Sequence, residues 1–401
     1  MLLNSFLPTE LYSFLLEIEE LGFSLCLVGG AVRDYLMLGI VSRDLDFEIR
    51  SNQKISDKDW PTYYERLIKF LESRKEKILL FPYMITKVDF MGWSVEFSSP
   101  RQEIYANLEM HSHHNFSAAL SSNISYDESF KRRDFTFNAM GFELSFKNNT
   151  MTLVDPFGGE KDLAEKKLKA IDSDFFKDSV RFLRLIRFKI KYQMTIDPNI
   201  ENFIGAFNLS ALSKYHFTSE LFKADAGSFL NLWRVFVAQF NLVPPKDFQV
   251  WSDTAFDWPI NKLHTKEDLL IYAFLIKPES AQKIQNFFSM PEKTLRDLNS
   301  FYSALMHLKV LNKKNAKQLL EQKTKELVNQ ELFQSMKVLD EKKEWRQKIH
   351  KFVPDIEKDL VFEWQNWENE KTTEEEITMC DPMLRSYLKY YKALKRWLSD
   401  D

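Results

Sequence analysis

The sequence predicts an α+β chain, with a first part of mixed sheet and helices followed by an all-helical remainder. Two observations carry this. Of the 10 glycines, eight lie between Gly22 and Gly159 and none follows Gly227. Glycine serves tight turns and close backbone approach, so the first part should be rich in strands and loops. The hydrophobic period also changes: residues 44–49 (DLDFEI) alternate charged with apolar side chains, whereas the pattern is helical almost throughout from Asp162. A chain of 401 residues has room for two or more domains.

The elements follow in order. Thr9 can N-cap a helix whose apolar face is Leu11, Phe14, Leu15 and Ile18, ending before Gly22. Residues 23–28 (FSLCLV) read as a buried strand, and Gly29-Gly30 turns the chain into a short helix that stops at Gly39. Residues 44–49 form a strand with one wet face, and a helix follows around Asp59–Arg74. Strands fit 78–82, 83–90 and 93–97, the last two joined by a turn at Met91-Gly92. The stretch from Tyr105 to Lys131 has no clear period and reads as a mobile loop with helical pieces. Strand-like patterns return at 135–144 and 151–156; amphipathic helices are then expected over Phe175–Tyr192 and Glu220–Trp233.

Composition bounds the function. Hydrophobic residues at 44% and charged residues at 28% describe an ordinary globular protein. The net charge of −3, from 55 basic and 58 acidic side chains, means that a nucleic-acid partner would need a local basic face. Cys26 and Cys380 form no metal or disulfide spacing, which fits a reducing compartment. No apolar stretch reaches membrane-spanning length, and the start lacks a basic region before an apolar one, so the expectation is a cytoplasmic protein without a membrane partner. The 35 phenylalanines are read as core rather than stacking surface.

The chemistry concentrates in residues 27–50 (LVGGAVRDYLMLGIVSRDLDFEIR). Strand period puts Asp44 and Asp46 on one face with Leu45 beneath, so two carboxylates converge where hard-oxygen coordination favours Mg²⁺. Gly29-Gly30 at a strand-to-helix turn lets backbone N–H groups approach a triphosphate, and Arg33 can add a charge-assisted contact. A D-x-D pair or a G-G turn alone is common; their order and spacing give the signal.

This segment resembles the G-G-x-x-R-D … D-x-D signature of polymerase-β-like nucleotidyltransferases, in the form used by class II CCA-adding enzymes and bacterial poly(A) polymerases. The likeness continues in order. Residues 131–140 (KRRDFTFNAM) resemble the R-R-D-F-T-x-N-A-M block, and 155–163 (DPFGGEKDL) the D-P-x-x-G-x-x-D-L linker. Residues 177–184 (KDSVRFLR) resemble the E-D-x-x-R-x-x-R helix, and 219–223 (SELFK) are a weaker echo of the last motif. The matched blocks span about residues 21–225.

The resemblance implies a head over 1–157, a helical neck over 158–232 with a nucleotide-selecting helix, a body over 233–310 and an RNA-binding tail over 311–401. It implies transfer of CMP and AMP from CTP and ATP to a tRNA 3′ end, without a template, by two-metal chemistry on Asp44 and Asp46. No protein partner is inferred. Glu96 is the candidate third carboxylate. Arg132, Arg133, Asp134 and Asn138 would position ribose and phosphates. Asp178 and Arg181, three apart on a helical face, would read the base, with Arg184 and Arg187 beside them. A carboxylate accepts and a guanidinium donates, so the pair complements cytosine and adenine and mismatches uracil and guanine.

Three departures bear on nucleotide choice rather than reaction class. The family's Glu is Lys177 here, leaving Asp174 or Glu220 to orient Arg181. The last motif lacks its leading Arg, with His216 or Phe217 nearby. The Arg-rich turn common between positions equivalent to Tyr105 and Lys131 is missing, which weakens the expectation of A-addition relative to C-addition. His111, His113 and His114 read as incidental surface histidines. Arg385, Lys389, Lys392 and Lys395, with Tyr387, Tyr390, Tyr391 and Trp397, suit either a tRNA contact or a surface helix over a core. The rival activities are poly(A) addition or partial CC- or A-addition, and, in another class, an RNA-binding protein with an inactive head.

Overall fold

The computed structural model describes residues 2–105, 116–309, 318, 331–354, 370–379 and 385–399. The fold is α+β. It divides into two units, Met1–Ala224 with Leu232–Lys246, and Asp225–Asn231 with Asp247–Asp401.

The first unit is built on a seven-stranded sheet. Helix α1 (Thr9–Glu20) buries Leu11, Phe14, Leu15 and Ile18 along one stripe. It leads into β1 (Phe23–Val28), and α2 (Gly30–Leu38) returns the chain to β2 (Asp44–Ser51). Helix α3 (Trp60–Ser73) precedes β3 (Ile78–Phe81), β4 (Ile85–Phe90) and β5 (Trp93–Ser98). The sheet order is β3-β4-β5-β2-β1-β8-β9, with β8 at Gly141–Ser145 and β9 at Thr150–Val154. Strand β2 lies inside the sheet, antiparallel to β1 and parallel to β5. Its inner face is apolar: Leu45, Phe47 and Ile49 are fully buried. Phe47 stacks on Phe97, and Phe14 on Phe90 with centroids 4.2 Å apart. Phenylalanine is therefore core material here, as the composition suggested.

Several expected elements are shorter or different. The strand expected from 83 starts at Ile85, because Tyr83 and Met84 take positive φ (64° and 54°) and make the β3–β4 turn. Part of the expected loop is an antiparallel pair, β6 (Arg101–Tyr105) with β7 (Phe116–Leu120), followed by α4 (Tyr126–Phe130) with a Ser125/Glu128 capping box. The histidines at 111, 113 and 114 and Cys380 lie outside the described residues. Thr136–Asn138 is a 3₁₀ turn rather than strand, burying Phe135 and Phe137 against Phe188.

After α5 (Gly159–Ala164), the helix expected over 175–192 is split. Ser173–Lys177 is a 3₁₀ turn, Asp178 is extended (φ −114°, ψ 112°), and α6 runs Ser179–Lys191. The Asp178 carboxylate caps α6 by accepting from the Val180 N–H, a local bond that ends the preceding turn. The helix expected over 220–233 is likewise two. After α7 (Pro198–Glu201), α8 covers Lys214–Leu221 and α9 covers Ala226–Gln239.

The described part of the second unit contains α10 (Lys266–Ile276), α11 (Pro278–Phe287), α12 (Glu292–Lys309) and helices at Glu331–Glu341, Glu344–His350, Glu374–Met379 and Leu388–Ser399. Three basic side chains of the last helix are paired with carboxylates of the same unit, whereas Lys395 lies over the Tyr391 ring. Lys389 and the Tyr390 hydroxyl bind Asp340, Lys392 binds Glu370 and Glu376, and Arg396 binds Glu370. No described helix is long and apolar enough to cross a membrane.

Candidate active site

Asp44 and Asp46 open onto one cleft of about 740 Å³ in the first unit. Nine cationic side chains and five carboxylates line it. The chain as a whole is slightly acidic, so this is the local basic surface that a polyanion would require. Of the candidate catalytic and nucleotide-binding residues, all but Glu96 line it.

The carboxylates are placed by the sheet. Asp46 stands opposite Val28 of β1 and Glu96 of β5, and Asp44 opposite Ser94. The Ser94 hydroxyl donates to Asp44 Oδ1 at 2.7 Å, and Lys87 Nζ of β4 lies 3.8 Å from the same oxygen. Asp44 is exposed and Asp46 half-buried. Burial raises the pKa of Asp46, with Arg133 opposing and the Asp44 charge adding to the rise. Glu96 is half-buried and its pKa is also raised, by burial first and then by the Asp46 charge. Among the described residues no group of three or more His, Cys, Asp or Glu is arranged to hold a metal ion, so the two aspartates stand as a pair.

Gly29 closes the end of β1 at φ 78°, ψ −134°, a conformation that strains any residue with a Cβ. A Cβ there would also lie 3.1 Å from Arg133 Nη1 and 3.7 Å from Asp46 Oδ2, so the glycine leaves space between the guanidinium and the carboxylate. Gly30 begins α2 one residue later.

Arg33 is buried and held from three sides. Its Nη1 donates to Asn138 Oδ1 at 2.8 Å, its Nε donates to Asp34 Oδ1 at 2.8 Å, and its guanidinium lies 5.2 Å from the centroids of both Phe188 and Tyr192. Asn138 in turn donates to Asp134 Oδ1 at 2.9 Å, and Arg184 Nε donates to Asp134 Oδ2. Burial alone would raise the Asp134 pKa, but Arg184, Asn138 and the Phe135 N–H together hold it well below the usual carboxylate range. Asp134 thereby joins α2, the 3₁₀ turn and α6 at the wall of the cleft.

Asp178, Arg181, Arg184 and Arg187 recur every three residues and face the cleft together. Asp178 and Arg181 meet as an N-cap and a first-turn residue, not as two interior helical positions, with Arg181 Nε 3.9 Å from Asp178 Oδ2. Neither proposed orienting carboxylate serves Arg181. Asp174 pairs with Lys177 at 2.7 Å, and Glu220 pairs with Arg187 at 2.6 Å and Lys223 at 2.9 Å. Arg187, lowered to about 10 chiefly by burial and then by Arg184, gains its compensating charge from Glu220.

Sequence reasoning left Arg101, Tyr215, Ser219 and Lys87 without a role. Tyr215, Ser219 and Lys223 recur every four residues from α8 onward and all line the cleft. That spacing was readable, but the helix boundary was misplaced. His216 lines the cleft, whereas Phe217 is fully buried against Trp233.

Residues 25–169 match the poly(A) polymerase head domain. A multifunctional CCA protein of Leptothrix cholodnii is 32% identical over 168 residues, covering 40% of this chain and 33% of that protein. A CCA-adding enzyme of Listeria monocytogenes is 24% identical over 303 residues, covering 73% of this chain and 71% of that one. The chain thus spans about a third of the former relative's length. Among solved structures, a tRNA-processing enzyme with CTP shares the fold at TM-score 0.59 and 18% identity, covering 96% of this chain and 99% of that one. A Thermotoga maritima CCA-adding enzyme complexed with tRNA shares it at TM-score 0.58 and 17% identity, covering 100% of this chain and 94% of that one. Residues 25–169, which supply the aspartate pair, the glycine turn and Arg132-Arg133 of the cleft, thus form a poly(A) polymerase head domain of the nucleotidyltransferase kind.

Proposed function

We propose that this enzyme adds CCA to tRNA 3′ ends from CTP and ATP, without a template, using Mg²⁺ held by Asp44 and Asp46. The observation that carries this reading is that the aspartate pair and the Asp178/Arg181 pair open onto one cation-rich cleft. The relatives' names as CCA proteins, and solved neighbours carrying CTP, ATP or tRNA, support it.

A head domain of this kind implies a divalent cation, and the donor set fits one. Two carboxylates on one strand face offer hard oxygens, and the burial and like charge that raise Asp46 are costs a cation would remove. When bound, it supplies Lewis-acid polarisation of the attacking 3′-hydroxyl and charge for the departing pyrophosphate. Two-metal transfer is part of the proposal, with Glu96 a neighbour of Asp46 rather than an established ligand.

The chain's own residues account for the rest. Gly29-Gly30 allows close approach of phosphate at the start of α2, and Arg132 and Arg133 face the same space. Arg33 and Asp134, both bound internally, hold α2 against α6. Asp178 accepts and Arg181 donates toward a base edge, which suits cytosine and adenine. The domain roles remain those of head, nucleotide-selecting neck, body and RNA-binding tail, in a cytoplasmic setting.

The deciding experiment supplies tRNA lacking its last three nucleotides with each NTP singly and together. CTP alone should add two residues, and CTP with ATP three. Long A-tracts would indicate poly(A) addition, arrest after two C residues with CTP and ATP together a CC-adding enzyme, and no incorporation with any NTP would reject CCA addition by this chain.

A further inference from the structure

The carboxylates of the site lie in a row that contains a cation the reaction scheme does not use. Lys87 on β4 stands directly opposite Glu96 on β5, and Glu96 directly opposite Asp46 on β2. Residues in register on neighbouring strands share a sheet face. Lys87, Glu96 and Asp46 therefore cross three adjacent strands on the face that presents Asp44 two residues away. The Lys87 ammonium reaches Asp44 Oδ1 at 3.8 Å, the same oxygen that accepts from Ser94.

We propose that Lys87 is the resident counter-ion of this metal site: it offsets the carboxylate row before a divalent cation arrives, and competes with that cation for Asp44. The inference rests on Asp44 and Asp46 being metal ligands. As a stabilising ion pair Lys87 contributes little, because both partners are open to solvent. Its effect on a doubly charged competitor is larger, since repulsion scales with the product of charges and acts within a few ångströms. A lysine suits this role. Its compact ammonium rides on a flexible stem, so it can bridge the carboxylates when they are bare and withdraw toward solvent when a cation enters. The outcome is a site whose acidic groups are held in place while metal binds only moderately.

The test is Mn²⁺ titration of the full chain by calorimetry, without RNA or nucleotide, on wild type, Lys87→Met, Lys87→Arg and Asp44→Asn. Lys87→Met keeps the stem and removes the charge, and should tighten Mn²⁺ binding roughly 3- to 10-fold. Lys87→Arg should stay near wild type, and Asp44→Asn should lose the binding. Asp44-dependent binding that is unchanged or weaker in Lys87→Met overturns the counter-ion role and leaves the metal assignment standing. Mn²⁺ binding that persists in Asp44→Asn overturns the metal assignment and this inference with it.

Discussion

Arg181 Nη2 donates to the carbonyl oxygen of Arg132 at 2.7 Å. One edge of the guanidinium is thereby spent on the backbone that carries the Arg132-Arg133 pair, and the ring of donors is fixed relative to the head. Its Nε edge lies near Asp178, which is itself fixed as the cap of α6. The two groups proposed to read the base are thus held by local geometry, without the acidic neighbour that Lys177 replaces. Arg181→Ala should relax discrimination against UTP and GTP by roughly 10- to 100-fold, since a site that loses a placed donor no longer leaves the wrong base unpaired. Single-turnover incorporation of each NTP measures this, and unchanged selectivity would remove Arg181 from base reading.

Asp44→Ala and Asp46→Ala should each lower incorporation by at least roughly 10³-fold while leaving the far-ultraviolet circular dichroism intact. The pH dependence has a sign. A raised folded-state pKa means that Asp46 is protonated at milder acidity than an ordinary aspartate, and a protonated carboxyl cannot hold a cation. At low Mg²⁺ the rate should therefore fall on acidification earlier than the usual aspartate range implies, and added Mg²⁺, which favours the ionised carboxylate, should move the fall to lower pH. The same cost predicts that Asp46→Asn stabilises the metal-free protein, by about 0.5–2 kcal/mol in chemical denaturation. A destabilised variant would contradict the account of Asp46 as strained by burial and by Asp44.

Most of the head was legible because its signals are short-range. Alternation set the shared face of Asp44 and Asp46, and the glycine pair marked the turn after β1, so both could be read from residues 23–51 alone. The places that were misread have a common cause in local side-chain bonds and long-range packing. Hydrophobic period alone runs α6 back through Phe175, whereas the Asp178 carboxylate captures the Val180 N–H and starts the helix afresh. Phe135 and Phe137 carry a strand-like pattern but stack on each other and on Phe188, a contact across more than fifty residues that overrides it. Lys87 gave no signal, because its importance lies in a register across β4, β5 and β2 that a single sequence does not display.

The Asp134–Arg184 pair is expected to be structural first. Asp134 is buried and Arg184 half-buried, and the pair extends through Asn138 to Arg33, so removing the carboxylate leaves a partly solvated guanidinium uncompensated. Asp134→Asn should destabilise the first unit by about 1–3 kcal/mol, read as a lowered denaturation midpoint. Because the folded pKa of Asp134 is depressed, its contribution is fully present above the unfolded value near 4 and disappears as pH falls through the lower folded value. The variant's deficit should accordingly shrink in strong acid. A deficit that stays constant with pH would assign the loss to packing rather than to the carboxylate.

Tyr215 brings an aromatic ring to a cleft otherwise rich in charge. The ring is 77% exposed, its edge meeting His216 at a centroid distance of 5.3 Å. It cannot be there for the core, since Phe217 two residues on fills that place against Trp233. Charged groups can meet phosphates and base edges but offer no flat surface to a base, and a ring on the rim supplies one. Tyr215→Ala should weaken binding of a tRNA 3′ end roughly 5- to 100-fold with little change in the KM for CTP, while Tyr215→Phe stays near wild type. Titration of tRNA carrying a fluorescent base analogue at its terminus reads both affinity and stacking. Equal quenching and affinity in the alanine variant would place the terminal base elsewhere, and a raised KM for CTP with unchanged RNA affinity would move the ring's partner to the incoming nucleotide.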